Sequence, residues 1–378
     1  MAGIYIHIPF CKKACHYCNF HFSTQTKYID AFTNAVCKEI ELQKNYLAQP
    51  IDTLYFGGGT PSLLSEAAFN IIVDKIKEVY PLHINVEFTV EANPDDITPI
   101  LVKTWKKAGV NRLSMGIQSF QPHALEWMNR AHSASQSHQA IQIAQNEGID
   151  NISADLIYGT PHLSEEDLLA DLAILNQYQI PHLSCYALTV EEKTALHKMI
   201  ETKKIAPVNL EHQSRHFEII VDYLESIGLE HYEISNFSKP GFRSKHNSNY
   251  WKGVPYLGLG PSAHSYNLNS RQWNVANNQL YFASLEKNIL PFELEALAVH
   301  TKYNEYMMVS LRCQEGFSSQ YIIDHFGSSF YEHSKKIAEQ MVAKKLVVKT
   351  EIGFALSKSA KFFADGIASD FFWIGSQI

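Results

Sequence analysis

No apolar run in the 378 residues approaches the roughly 18–20 that a membrane-spanning helix needs. The start, Met-Ala-Gly-Ile-Tyr-Ile-His-Ile-Pro, lacks a basic segment ahead of a long apolar stretch, so no secretory signal is expected and the cytoplasm is the default location. A basic excess is also missing. Lys and Arg number 32 against 39 Asp and Glu, a formal charge of −7, which argues against a broad nucleic-acid footprint. Cysteine is scarce and unevenly placed: Cys11, Cys15 and Cys18 crowd together, whereas Cys37, Cys185 and Cys313 are scattered. That is not the dispersed framework of a disulfide-stapled secreted domain. Three clustered thiols in a reducing compartment suggest a metal site instead. Internal repeats and low-complexity segments are absent. What remains is an ordinary globular composition, 46% hydrophobic and 12% aromatic, long enough for one large domain or a large and a small one.

Strand-like runs recur through the first half at Ile4–Ile8, Thr53–Phe56, Val86–Val90, Arg112–Ile117, Ile152–Tyr158 and His182–Leu188. Helical patterns separate them, roughly Thr26–Asn45, Glu66–Val79, Ile100–Lys107, Pro122–Asn129 with Gln136–Asn146, and Glu165–Asn176. Ser164 with Asp167 resembles a capping box, and Gly109, Gly148 and Gly228 stand where helices should stop. Strand and helix alternating every ~25–40 residues describes repeated βαβ units, and six of them predict an α/β parallel barrel or partial barrel. The polar and glycine-rich residues fall at the ends of these strands: the cysteine loop, Gly57–Thr60, Glu91, Gln118 and Ala187, with Asp155 inside the fifth strand. In such barrels the loops after the strands converge on one face, where the site lies.

The rhythm changes after about residue 205. Leu210–Ile227 reads as an amphipathic helix and Glu230–Ile234 as a strand, while 236–290 looks loop-heavy. Helices are expected near Leu297–Leu311, Ser319–His325 and Phe330–Lys344, then a hairpin over Leu346–Thr350 and Gly353–Leu356 and a last helix. Helices followed by a two-stranded wing resemble a small winged-helix domain. Residues 295–378 carry nine Lys/Arg and nine Asp/Glu, so DNA binding is disfavoured and a packing or docking role is expected. The expected division is 1–235 for the barrel, 236–293 for a loop-rich extension and 294–378 for the small, mainly helical, winged-helix-like domain.

The chemistry concentrates in Cys11-Lys-Lys-Ala-Cys15-His-Tyr17-Cys18, a C-x3-C-x2-C loop after the first strand. Four thiolates would close a structural zinc or a ferredoxin-type cluster, but here there are three. A [4Fe–4S] cluster on three cysteines leaves one iron open to a small molecule. A Cys3His zinc site using His16 or His21, or plain buried thiols, are the alternatives. Gly57-Gly58-Gly59-Thr60-Pro61 either lets the backbone approach a ligand or simply makes a tight turn. Gly258-Leu-Gly260-Pro-Ser-Ala263 satisfies the dinucleotide pattern G-x-G-x-x-A, yet Pro261 stands where a helix should begin and no βαβ unit surrounds it. It reads as a loop near the barrel mouth. Glu91, Gln118, Arg130 and Asp155 are either satisfied polar groups in a barrel or partners for ribose hydroxyls, a carboxylate and an adenine.

C-x3-C-x2-C at the first strand end of a βα barrel, with aromatic Tyr17 before the last cysteine, resembles the radical S-adenosylmethionine (SAM) superfamily. The resemblance implies a partial (β/α)6 barrel, with Cys11, Cys15 and Cys18 as cluster ligands and the methionine amino and carboxylate groups of SAM on the open iron. One-electron reduction would then yield a 5′-deoxyadenosyl radical.

The match narrows further. Tyr5-Ile-His7-Ile-Pro-Phe-Cys11, the Gly-Gly-Gly-Thr-Pro-Ser run, Glu91-Ala-Asn-Pro, Arg112-Leu-Ser-Met-Gly-Ile-Gln118-Ser-Phe, Asp155-Leu-Ile-Tyr-Gly and the Gly258 motif resemble one branch. That branch holds the oxygen-independent coproporphyrinogen III dehydrogenase and its haem-chaperone relatives. Carried over, it implies Tyr5, Gly58 and Glu91 around the cluster-bound SAM, and Gly59, Thr60, Gln118, Arg130 and Asp155 at positions that hold a second SAM in the dehydrogenase. Three features favour the chaperones. The dehydrogenase continues Cys-x-Cys where this chain has Cys18-Asn19-Phe20; it carries an N-terminal extension, whereas here the motifs begin at Tyr5; and His246-Asn-Ser-Asn-Tyr250-Trp251 matches H-N-x-x-Y-W, a chaperone pattern. His246 is the expected axial haem ligand, with Tyr250 and Trp251 on the macrocycle and Arg243 and Lys245 at the propionates; the alternative is that the aromatic pair fills the core while His246 bonds to a backbone carbonyl. The expected function is delivery of haem cargo to acceptor haemoproteins, respiratory membrane complexes among them, without a membrane span. An enzyme that decarboxylates two propionates of coproporphyrinogen III to vinyl groups is the alternative, and radical chemistry on an unrelated substrate is a third.

Overall fold

The computed structural model describes residues 1–374. Six parallel strands form its centre: β1 (Gly3–Ile8), β2 (Ile51–Gly58), β3 (Leu82–Ala92), β4 (Arg112–Gln118), β5 (Ile152–Tyr158) and β6 (His182–Ala187), paired in chain order. The connecting helices are α1 (Ile29–Leu42), α2 (Glu66–Val79), α3 (Pro99–Ala108), α4 (Pro122–Trp127), α5 (Ala134–Asn146) and α6 (Glu165–Gln177). Local chemistry sets their ends. Ser65 caps α2 by accepting from Ala68 N, Ser164 and Asp167 form a capping box on α6, and Gly109 ends α3 in the left-handed conformation at φ +106°. This is the partial (β/α)6 barrel that the sequence predicts.

The strands alternate by face. Ile4, Ile6, Ile8, Leu54, Phe56, Phe88, Val90, Leu113, Met115, Ile117, Leu156 and Leu183 join the buried apolar core under the helices. The intervening residues point into the lumen and are polar: Tyr5, His7, Thr53, Tyr55, Thr89, Glu91, Arg112, Ser114, Ser153, Asp155, His182 and Ser184. A closed (β/α)8 barrel fills this space mostly with branched aliphatic side chains. Here the lumen is a polar chamber.

The loop-heavy reading of 236–290 is corrected. That stretch holds β8 (Asn236–Ser238), β9 (Tyr256–Leu259), β10 (His264–Tyr266) and β11 (Ser270–Asn274), besides helices Lys245–Trp251 and Asn278–Glu286. With β7 (Glu230–Glu233) and β12 (Phe292–Ala296), they extend the barrel to a twelve-stranded sheet in the order β12-β11-β10-β9-β1-β2-β3-β4-β5-β6-β8-β7. β9 lies parallel to β1, while the outer pairings are antiparallel. A second core, containing Tyr303, Met307, Leu311, Phe317, Ile322, Met341 and Phe371, belongs to the C-terminal region. There helices Val299–Arg312, Ser319–Phe326 and Ser328–Ala343 pack on a three-stranded sheet made of β13 (Phe317–Ser318), β14 (Val347–Lys349) and β15 (Gly353–Leu356). The last four residues of the expected 294–378 unit lie outside the described residues. Among the described residues no helix is long and apolar enough to cross a membrane.

Candidate functional site

The cysteine loop leaves β1 at the mouth of the barrel and is tied down from several sides. Cys11 N donates to Ser23 O at 3.1 Å, His16 N to Met128 O at 3.2 Å, and Leu196 N to His16 O at 2.8 Å. Lys12 is paired with Asp95 at 2.8 Å and also with Asp96, in the turn after β3. All three thiols are free and half-buried. Thr60 Oγ1 donates to Cys11 Sγ at 3.5 Å. Arg130 is the central clip: Nη1 donates to Cys15 Sγ and to the Tyr17 hydroxyl, each at 3.3 Å, while Nη2 reaches Asn93 Oδ1 at 2.7 Å and Gly116 O at 2.9 Å. One guanidinium thus joins the loop to the ends of β3 and β4. Only a planar five-donor group could serve four acceptors in this way.

Glu91 stands at the end of β3. Its Oε1 accepts from the Tyr55 hydroxyl at 2.8 Å and its Oε2 from Gly58 N at 3.2 Å. Burial, opposed by the Tyr55 bond and reinforced by the charge of Asp155, pushes its carboxyl up to about 7. Asp155 is raised to about 6, again chiefly by burial, and accepts from Ser114 Oγ at 3.4 Å. The glycine run has a cause inside the protein. Gly58 holds φ +104°, and a Cβ there would stand 2.6 Å from the His7 ring; one on Gly59 would meet Phe10 O at 2.6 Å. Gln118 is a non-glycine residue at φ +66°, buried, beside an irregularity in the β4–β5 register, and its Oε1 has no partner. Among the described residues that amide oxygen is buried without a hydrogen-bond partner.

The structure brings Thr60, Arg130 and Tyr17 to the three cysteines, and places Tyr5, Gly58, Gly59, Glu91, Gln118 and Asp155 along the lumen wall and its mouth. Ala187 ends β6, paired with Tyr158. His246 is elsewhere. It lies on the helix Lys245–Trp251 that plugs the opposite end of the barrel, where Glu87 accepts from Lys245 N and His246 N at 3.0 and 2.9 Å. Its ring is 3% exposed, stacks on Tyr55 at 4.8 Å, and uses both nitrogens, Nδ1 with Thr53 Oγ1 at 2.8 Å and Nε2 with the Tyr250 hydroxyl at 2.9 Å. Both ring nitrogens are engaged, by side-chain hydroxyls and not by a backbone carbonyl, so neither is open to iron in this arrangement, while Tyr250 and Trp251 line the large cavity described below. Arg243 is likewise committed, to Glu230 and Glu315. Four residues escaped the sequence reading: Asn93, which bridges Arg130 and Thr60; Tyr55; the buried Glu39; and Arg112, 1% exposed, with no hydrogen bond or ion pair from its guanidinium among the described residues. Period-two polarity within β2 and β4 was the available signal for Tyr55 and Arg112.

Three thiols on one loop fit a cluster that leaves a position open. Ligands around one tetrahedral zinc would converge within roughly 4 Å of one another, given bonds of ~2.3 Å. Among the described residues no three His, Cys, Asp or Glu side chains converge to hold a single ion. His16 Nδ1 is bonded to Trp127 O at 2.8 Å and His21 Nε2 to Asn278 at 2.7 Å.

Beside the lumen a cavity of about 2320 Å³ runs from Tyr5, His7 and Phe20 to the C-terminal helices at Glu305, Tyr306 and Tyr321.

The radical SAM superfamily profile matches residues 5–175. The chain is 32% identical over 375 residues to "Heme chaperone HemW" of Bacillus subtilis, covering 98% of this chain and 99% of that one. It is 34% identical over 320 residues to the protein of the same name from Mycobacterium tuberculosis, covering 83% and 82%. Among solved structures, coproporphyrinogen III oxidase (HemN) from Escherichia coli, a radical SAM enzyme, superposes with a TM-score of 0.85 at 20% identity, over 98% of this chain and 90% of that one, a likeness of fold. With the thiol loop at a barrel mouth and full-length similarity above 30%, the chain belongs to the HemW family within the radical SAM superfamily.

Proposed function

We propose that this protein is a haem chaperone: it binds haem, carries a SAM-coordinated [4Fe–4S] cluster on Cys11, Cys15 and Cys18, and passes haem to acceptor haemoproteins. The observation that carries the reading is the pairing of a three-thiol loop with a cavity of about 2320 Å³, against the roughly 300–1,000 Å³ of ordinary small-ligand pockets. The full-length relatives named as haem chaperones support it. A cluster there would supply an open iron for SAM and a one-electron couple.

The chain's own residues do the holding. Arg130 fixes Cys15 and Tyr17 by hydrogen bonds from one guanidinium nitrogen. Thr60 donates to Cys11, whose thiol burial pushes up to about 11 against that bond. Glu91, aligned by Tyr55 and Gly58, keeps lone pairs free for a ribose diol or an ammonium group, and Gln118 and Asp155 extend that polar wall. Phe20, exposed just beyond Cys18, cannot act as the further thiol of the dehydrogenase pattern.

Anaerobic reconstitution followed by titration with ferric protoporphyrin IX tests the reading. About four irons per chain and stoichiometric haem binding are expected, with Cys15→Ala losing the iron and keeping haem. Formation of protoporphyrinogen from coproporphyrinogen III, or failure to bind haem, would replace it with the enzymatic alternative.

A further inference from the structure

Six imidazoles line the large cavity; one has both ring nitrogens in hydrogen bonds, three have one, and two have none. His7 uses Nε2 with His21 O at 2.8 Å and Nδ1 with the Tyr5 hydroxyl at 3.2 Å. His21 holds Asn278, His83 Nδ1 accepts from Asn85 N at 3.2 Å, and His325 Nδ1 is with Tyr321 O at 3.0 Å. His264 and His300 have neither ring nitrogen in a hydrogen bond among the described residues. They differ in setting. His300 lies in the first turn of the helix Val299–Arg312, whereas His264 opens β10, where antiparallel pairing with β11 fixes its backbone.

The β10–β11 register sets His264 opposite Trp273 and Tyr266 opposite Arg271, so the four side chains share one face. His264 stacks on Trp273 at 6.0 Å between centroids, and the Arg271 guanidinium lies 5.9 Å from the Tyr266 ring. Phe20, 65% exposed and two residues beyond Cys18, lines with His264 both the large cavity and an adjoining one of about 910 Å³. One wall therefore offers an imidazole with neither ring nitrogen hydrogen-bonded, exposed aromatic surface, and the Arg271 guanidinium, which is paired with Glu305 at 2.7 and 2.9 Å and would exchange that carboxylate for a propionate. Those are the three groups an iron porphyrin requires: an axial nitrogen, contact for an apolar plane, and a cation for a propionate.

We propose that this wall is the haem site and that His264 is the axial ligand, with Phe20 against the macrocycle and Arg271 toward a propionate. The proposal rests on the haem-binding reading above and moves the iron from His246, at the plugged end of the barrel, to the side of the barrel nearest the cysteine loop.

Titration of the full chain with ferric protoporphyrin IX, followed by visible absorption, tests it. His264→Ala is expected to weaken binding at least tenfold and shift the Soret band, with millimolar imidazole restoring the wild-type spectrum; His300→Ala should bind as wild type does. Metal-free protoporphyrin IX should bind wild type and His264→Ala alike. An unchanged Soret band and affinity in His264→Ala, or an equal loss of metal-free porphyrin binding, would overturn the ligand assignment while leaving the chaperone reading intact. If wild type binds no haem, the chaperone reading falls and this one with it.

Discussion

Glu39 is 0% exposed on α1 and faces no cation. Its Oε2 accepts from the Tyr281 hydroxyl at 2.5 Å and from Gly260 N at 2.8 Å, and its Oε1 from Asn274 Nδ2 at 2.6 Å. Four parts of the chain meet there: α1, the turn after β9, the end of β11 and the helix Asn278–Glu286. Burial pushes its carboxyl from 4.5 to about 7, against the three donors that pull it down. In Glu39→Ala the Tyr281 hydroxyl and Gly260 N lose their acceptor, at ~1–3 kcal/mol each, whereas Asn274 keeps Gly260 O at 2.9 Å. Opposing this, wild type gives up stability when the group ionises. Between pH 4.5 and 7 the folded protein binds more protons at this group than the unfolded chain does, so this contribution falls as pH rises, by roughly 3 kcal/mol at ~1.4 kcal/mol per pH unit. The alanine variant lacks that slope. It should be about 4 kcal/mol less stable than wild type at pH 5 and only about 1 kcal/mol less stable at pH 8. Urea unfolding followed by far-UV circular dichroism at both pH values reads the difference. A gap that is flat or widens with pH would refute a buried, cation-free carboxylate. Glu39→Gln should show a pH-independent baseline, because an amide keeps one acceptor and does not titrate, while its NH2 opposes that of Asn274.

Two further substitutions test the mouth of the barrel. Arg130→Lys should fold normally yet hold less iron and bleach faster in air, since one ammonium cannot serve Cys15, Tyr17, Asn93 and Gly116 together; an unchanged iron content and bleaching rate would refute the clip. Gly58→Ala combines a φ of +104° with a Cβ 2.6 Å from the His7 ring, so thermal and urea unfolding should show a loss of about 2–4 kcal/mol. A loss below about 1 kcal/mol would mean that β1 and β2 part more easily than the close contact implies.

The parallel strands were legible because each is six or more residues long and followed by helical sequence, capped by a side chain at α2, α3 and α6, so periodicity changes where structure does. The stretch 236–290 was not. Its strands run only three to five residues and draw their stability from the edge of a sheet formed far away in sequence, as when Gly3 to Ile6 recruit Tyr256 to Leu259. The H-N-x-x-Y-W motif identified a family feature but carried no direction; only the fold reveals that His246 lies at the N-terminal end of the strands, against Thr53 and Tyr55. The glycines of Gly258-Leu-Gly260 have a cause inside the fold. A Cβ on Gly258 would stand 2.0 Å from His264 O, and one on Gly260, at φ +99°, 2.5 Å from His7 O. The polar lumen was present in Tyr5-Ile-His7 and Thr53-Leu-Tyr55 but is easily read as continuous apolar strand.

The C-terminal region gives that lumen its outer wall, and its two attachments differ in strength. At the β7 edge, Ile234 N donates to Arg312 O at 3.1 Å, Gln314 N to Tyr232 O at 3.1 Å, and Arg312 pairs with Glu233, which is 1% exposed. Backbone bonds and a buried acceptor make that side firm. At the other edge, Arg271 and Glu305 pair through two parallel bonds at 2.7 and 2.9 Å with about a third of each side chain exposed, so solvent screens this attachment more than the one at Glu233. The helix Val299–Arg312 therefore spans the open side of the sheet, fastened at β7 and latched at β11. Charged residues of both signs in the terminal region take part in this attachment, Arg312 to Glu233 and Glu305 to Arg271, and the second of these lies on the hairpin face that carries His264.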